Sequence, residues 1–211
     1  MKSYWVKTHA IIKRLFYDYV WDIPNNEKTV YLTFDDGPTP EITEWVLSQL
    51  DTYAVKATFF CIGYNIKSNP KIFQRLINEG HHIGNHTYEH PNGWDAETIA
   101  YLKNVKDCEN EIREHGIQNQ LFRPPYGKLK PSQSKALRKM GYKIIMWDIL
   151  SGDFDKTITR EKCLGNVVKN LSSGSIVIFH DSKKAFENLE YALPETLKFL
   201  KTNGYKCGLL D

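Results

Sequence analysis

No stretch of this 211-residue chain stays apolar long enough to cross a bilayer, and no repeat or low-complexity segment interrupts it. The longest early apolar run, 10–12, is cut at once by Lys13-Arg14. No secretory signal is therefore read, and the expected location is cytoplasmic by default, with membrane-surface association or non-classical export as alternatives. Cysteine is sparse: Cys61, Cys108, Cys163 and Cys207 stand far apart without a C-x-x-C spacing. That excludes a zinc knuckle or a thioredoxin-type pair and leaves buried free thiols as the expectation. Excess charge is lacking too. A net charge of +3 spread over scattered lysines gives no footprint for nucleic acid, whereas neutral glycans remain compatible. Nothing implies a stable protein partner, so a monomer is expected. With 41% hydrophobic and 25% charged residues, the chain has the apolar mass of one globular domain.

What the chain does have is a regular alternation of strand and helix patterns, the signature of a parallel sheet or barrel. Beside the apolar run Val30, Leu32, Phe34, strands are expected at 57–61, 81–84, 142–147, 175–179 and 205–209, with a short one running into Arg123. Thr39-Pro40 and Asn69-Pro70 read as cap and first helical residue, for helices ending near Leu50 and at Gly80. Asp95 is expected to cap a helix carrying Ile99, Leu102, Val105, Cys108 and Ile112 on one face; further helices are expected over 131–140, from about Thr159, and over 194–203. The total is about seven strands, fewer than the eight of a full barrel. Ahead of them Ile11, Ile12, Leu15, Phe16, Tyr19 and Val20 recur at helical spacing, with Lys7, Lys13 and Arg14 among them. This reads as an amphipathic helix docked on the barrel, with reversible attachment to a membrane surface as the alternative. Residues 1–26 are then a helix and lead-in, and 27–211 the main domain.

Polar groups of complementary kind follow the apolar runs. Asp35 and Asp36 stand where the first run gives way to Gly37-Pro38, and His86 with His90, Arg123 with Tyr126, Asp153, and His180 end four others. The spacing of His86 and His90 puts both imidazoles on one face of a helical turn, or together on a short loop. A catalytic zinc site wants three protein ligands and an open position, and Asp36 is the natural third. The H-E-x-x-H pattern is excluded because Thr87 occupies the place of its general base. Asp35 is the candidate to take a proton instead. Trp94, just past His90, is expected either to stack on a sugar ring or to pack under its loop.

Together these residues resemble the polysaccharide deacetylases of carbohydrate esterase family four, which share the rhizobial chitooligosaccharide deacetylase homology domain. The resemblance covers most of the chain. Its motifs stand here as Thr33-Phe34-Asp35-Asp36-Gly37-Pro38, His86-Thr87-Tyr88-Glu89-His90, Arg123-Pro124-Pro125-Tyr126-Gly127 and Ile178-Phe179-His180. The fourth motif, usually Asp-Ser-x-Asp-Trp, departs as Leu150-Ser151-Gly152-Asp153-Phe154.

The resemblance implies an α/β distorted barrel and a metal-dependent deacetylase hydrolysing N-acetyl groups of N-acetylglucosamine-containing glycans, of chitooligosaccharide or peptidoglycan type. Asp36, His86 and His90 would hold one divalent ion, Zn²⁺ foremost with Co²⁺ or another as alternatives, to polarise the carbonyl and acidify a bound water. Asp35 would be the base, paired with Arg123. The backbone N–H of Tyr126 would join the ion in holding the oxyanion, and His180, oriented by Asp153, would protonate the leaving amine. Pro125, Phe154 and Ile178 would line the substrate groove. The competing expectations are O-acetylxylan esterase activity, a non-catalytic carbohydrate-binding module, and hydrolysis of a cyclic amide or formamide.

Overall fold

A computed structural model describes residues 4–118 and 120–211. Strand β1 (Thr29–Asp35) organises it. Val30, Leu32 and Phe34 are fully buried on one face, while Thr33 and Asp35, alternating with them, are buried on the other, where polar groups collect. Parallel neighbours β2 (Thr58–Cys61) and β7 (Ile176–His180) set Phe59 and Phe179 beside Phe34 in register. The three rings stack at 5.0 and 5.9 Å. Burying each such ring contributes roughly 1.5–3 kcal/mol, and a one-residue slip would turn all three to the polar side.

Strands β3 (His82–Asn85), β4 (Leu121–Phe122) and β5 (Lys143–Ile144) continue on one side and β6 (Ile149–Leu150) on the other. The result is a curled path of seven parallel strands in the order β5-β4-β3-β2-β1-β7-β6, with β8 (Lys206–Cys207) added in parallel to the first residues of β1. This is the expected distorted barrel. The outer face is covered by helices that bury Val46, Leu47 and Leu50 from α2 (Ile42–Thr52), and Phe73 and Leu76 from α4 (Pro70–Asn78). Helix α8 (Phe186–Thr202) adds Leu189, Leu193 and Leu197. Between them lie α3 (Gly63–Ser68), α5 (Thr98–Glu114), α6 (Pro131–Lys139) and α7 (Arg160–Val168). The cysteines are free thiols, as expected, with Cys207 only partly buried.

The N-terminal segment differs from the expected continuous helix. Helix α1 (Ala10–Leu15) stops at Phe16, Ile11 and Leu15 are 78% and 68% exposed, and the chain turns out of the helix before Val20. Backbone pairing explains the early stop. Val20 bridges in parallel to Ile145, Asp22 pairs with Ser175 and Lys7 with Ile149, so this segment stitches the gap between β5 and the β6–β7 edge. Asp148, almost wholly buried, fastens it by accepting from Lys7, Lys13 and Ser175. The stretches around Lys7 and over 20–22 are therefore built into the barrel wall, with α1 exposed between them.

Three helix starts also differ. Helix α2 begins at Ile42, where Glu41 and Glu44 form a capping box, rather than at Pro40. Helix α5 begins after Glu97 rather than at Asp95, and Ile99 is 85% exposed, because Asn92 ties its own turn by accepting from Trp94 N and donating to Asp95. Helix α8 starts eight residues ahead of Pro194 and runs through it; the burial of Leu189, Ala192 and Leu193 against the core outweighs the missing N–H. The two-residue strand β6 is too short to show a period in the sequence.

Candidate active site at the strand ends

The polar residues all emerge at the C-terminal ends of the parallel strands, where barrels of this class gather their chemistry. Asp35 is the last residue of β1. The turn that follows lifts Asp36 to a left-handed φ of 83° and continues through a cis Gly37–Pro38 bond. Asp181, just past β7, holds this turn by accepting from Gly37 N and from the Thr43 hydroxyl. A Cβ at Gly37 would lie 2.0 Å from the Asp181 carboxylate, so only glycine fits. Burial pushes the Asp181 carboxyl up to about 7 despite those two donors. Asn65 donates to the Asp36 carbonyl and completes the frame.

The two histidines share a short loop, not a helical turn. Thr87 and His90 take left-handed φ values of 68° and 59°, and Asn85 at the end of β3 accepts from Thr87 N while Asn104 of α5 accepts from Tyr88 N and Glu89 N. The fold brings Asp36, His86 and His90 together: one ligand atom from each lies within 4.8 Å of the others. His86 Nε2 is 3.8 Å and His90 Nε2 3.4 Å from Asp36 Oδ1. His86 Nδ1–H donates to the Arg123 carbonyl at 2.7 Å, which turns the Nε2 lone pair toward Asp36. Burial, and secondly the neighbouring His90, pull the His86 ring down to about 3; burial lowers His90 as well. Both imidazoles are thus held neutral, the state a metal ligand requires.

Arg123 lies inside the barrel with no exposure. Its guanidinium donates to Asp35 Oδ1 and to Thr33 Oγ1, each at 2.7 Å, and to the carbonyls of Ile145 and Met146, and it stacks 4.1 Å from the Phe60 ring. Asp35 Oδ2 is left facing His86 Nε2 at 3.8 Å. Beyond Arg123 a 3-10 turn over Pro125–Gly127 puts Tyr126 at φ 60°, with its ring edge-on to His90 at 4.6 Å.

Across the cleft, His180 Nδ1–H donates to Asp153 Oδ1 at 2.8 Å, and the other Asp153 oxygen accepts from His180 N at 2.7 Å. Burial opposes charge on this ring, but the Asp153 charge and hydrogen bond, helped by Asp36 and Asp35, outweigh it and carry the pKa up to about 9. The cleft enclosed by these groups measures about 340 Å³ and is also lined by Tyr4, Pro124, Trp147, Leu150, Phe154, Ile178 and Lys184. Pro124 lines it, whereas Pro125, expected there, does not; both prolines are buried. Tyr4, Trp147 and Lys184 were not read from the sequence, and nothing in their spacing marks them. Trp94 stands 59% exposed with the Lys128 ammonium 4.9 Å from its ring centre, so it is not packed under its loop. A larger hollow of about 640 Å³ near His82, Arg113 and Lys143 opens at the opposite ends of the strands and holds none of these paired groups.

A sequence profile described as polysaccharide deacetylase matches residues 22–145, more than half of the chain. The chain belongs to the polysaccharide deacetylase family. Among its relatives is a peptidoglycan-N-acetylglucosamine deacetylase of Bacillus cereus, 35% identical over 187 residues that cover 88% of each chain. A chitooligosaccharide deacetylase of Azorhizobium caulinodans is 33% identical, over 75% of this chain and 76% of its own. A crystal structure of a peptidoglycan N-acetylglucosamine deacetylase in complex with 4-naphthalen-1-yl-N-oxidanyl-benzamide superposes with a TM-score of 0.86 at 34% identity, covering 92% and 91% of the two chains. A family four deacetylase, and so a hydrolase, is the class these likenesses establish.

Proposed function

We propose that this deacetylase removes N-acetyl groups from N-acetylglucosamine-containing glycans of peptidoglycan or chitooligosaccharide type, with one divalent cation, Zn²⁺ foremost, held by Asp36, His86 and His90. The carrying observation is the convergence of those three ligand atoms within 4.8 Å, between the Arg123-held Asp35 and the Asp153-held His180. The donor set fits such an ion: two imidazoles kept neutral and one carboxylate, with room on the cleft side. When bound, the cation supplies Lewis acidity to the acetyl carbonyl and a low-pKa nucleophile.

The chain's own residues do the rest. Asp35 is oriented by Arg123 so that Oδ2 faces the cleft and accepts the nucleophile's proton. The left-handed Tyr126 backbone is the candidate N–H donor to the developing oxyanion, a role neither preceding proline can fill. His180, charged at neutral pH, delivers its Nε2 proton to the departing amine, which leaves poorly without it; Asp153 keeps the ring in place while that happens. The apolar patch of Leu150, Phe154 and Ile178 beside His180 receives the acetyl methyl, and the polar half of the cleft faces the sugar.

Acetate release from chitin oligomers, peptidoglycan fragments and acetylated xylan tests this reading, with Asp35→Asn as control. Release from the first two, lost in the control, supports it. Release from xylan alone supports an O-acetyl esterase, and glycan binding without acetate supports a binding module.

A further inference from the structure

Tyr4 lies ahead of the profile match, which begins at residue 22, yet it lines the same cleft as Asp35, Asp36, His86, His90 and His180. It arrives there by strand pairing. Leu150 N donates to the Val6 carbonyl at 2.8 Å and Thr8 N to the Asp148 carbonyl at 2.8 Å, which lays residues 6–8 antiparallel along the free edge of β6. The residue two before Val6 is thereby delivered over the loop that carries Asp153 and Phe154. Its ring sits 5.6 Å from that of Phe154, tilted by 55°. Phe154 in turn presents its other contacts to His180, edge-on at 5.2 Å, and to the Lys184 ammonium at 5.3 Å.

The Tyr4 ring is fixed at both ends. Its backbone is held through the β6 pairing, and its hydroxyl lies beside Asp155. The hydroxyl also rests against Gly152, where a Cβ would come within 2.7 Å of it. A wall held this way does not recede when a bulkier group presses on Phe154. The phenyl of Phe154 is smaller than an indole, and Tyr4 fills the space beside it.

We propose that Tyr4 is a specificity-determining residue: laid on Phe154, it closes the apolar end of the cleft so that a two-carbon acyl group fits and longer ones are excluded. The proposal deepens the deacetylase reading above and rests on it. A pocket wall of this kind discriminates by roughly tenfold or more per methylene.

The test compares kcat/KM of the full chain, supplied with Zn²⁺, on N-acetyl-, N-propionyl- and N-butyryl-glucosamine oligomers for wild type, Tyr4→Ala, Tyr4→Leu and Tyr4→Phe. In Tyr4→Ala the butyryl-to-acetyl ratio is expected to rise about tenfold. Tyr4→Leu, which keeps an apolar filler and protects against loss of folding, is expected to rise less, and Tyr4→Phe to stay within about threefold of wild type. A ratio that does not move in Tyr4→Ala and Tyr4→Leu, whatever happens to the overall rate, overturns the proposal and leaves Tyr4 a structural seal. Calorimetric binding of the same oligomers separates the two readings. If wild type releases no acyl group, the deacetylase reading falls, and the binding ratio across the same variants then decides the wall, an unchanged ratio again overturning it.

Discussion

Two histidines on opposite sides of one cleft, His86 buried and His180 largely so, are driven in opposite directions. His86 is pulled down to about 3 and His180 is raised to about 9. Burial penalises charge on both, so the partner of Nδ1 decides. His86 gives that proton to a backbone carbonyl and faces a second imidazole, whereas His180 gives it to the Asp153 carboxylate. The same side chain is thus left neutral on one wall and charged on the other, the states that the proposed ligand and the proposed acid require. A site that hydrolyses an amide needs both, because the carbonyl must be polarised and the amine must leave protonated.

Substitutions on the neutral side have the largest expected effect. Asp36→Ala or His86→Ala should remove Zn²⁺ binding and lower turnover on the order of a thousandfold or more, and chelation of wild type should do the same until Zn²⁺ or Co²⁺ is restored; metal content and acetate release measured together check it. On the charged side, His180→Ala should keep the ion and lose on the order of a hundredfold to ten-thousandfold in rate. That loss should be smaller on an O-acetyl ester, whose leaving group departs more readily. A variant that loses both ion and rate would erase the distinction between the walls.

Asp153→Asn sharpens the comparison further. It keeps a hydrogen-bond acceptor but removes the charge, so the His180 pKa should fall, with an expected loss of roughly ten- to a hundredfold at neutral pH. The sign follows from the raised pKa: His180 is protonated below about 9, so activity is lost as pH rises through that value, and the alkaline limb of the kcat profile should move to lower pH in Asp153→Asn. A cation beside Asp35 and Asp36 offsets their part of the lift, so the loaded enzyme's limb should lie at or below pH 9. The smallest expected effect is at the barrel seam. Lys13→Ala removes donors to Asp148 and Asp22 and should cost about 1 kcal/mol, or about 3 °C in Tm, by calorimetry.

Much of the site was legible in the sequence because its residues sit at strand ends punctuated by Gly37-Pro38, Pro124-Pro125 and Gly127, which mark turns whatever the tertiary context. The pairing of Arg123 with Asp35 and of Asp153 with His180 followed from family likeness, and the geometry agrees. What was not legible depends on contacts between distant segments. Asp181 reads as the residue after His180, yet it bonds Gly37 and Thr43 across the barrel mouth. Val20 reads as part of a helical stripe, yet its N–H and C=O complete a ladder with Ile144 and Met146. Tyr4 and Trp147 reach the cleft only through such pairings, and periodicity carries no record of them.

The most direct measurement is the protonation of each imidazole, read from side-chain ¹⁵N shifts in the metal-free protein between pH 4 and about pH 10. At neutral pH, His86 should be neutral with its proton on Nδ1, and His180 doubly protonated until the pH approaches 9. A charged His86 or a neutral His180 at pH 7 would contradict the division of roles between the two walls.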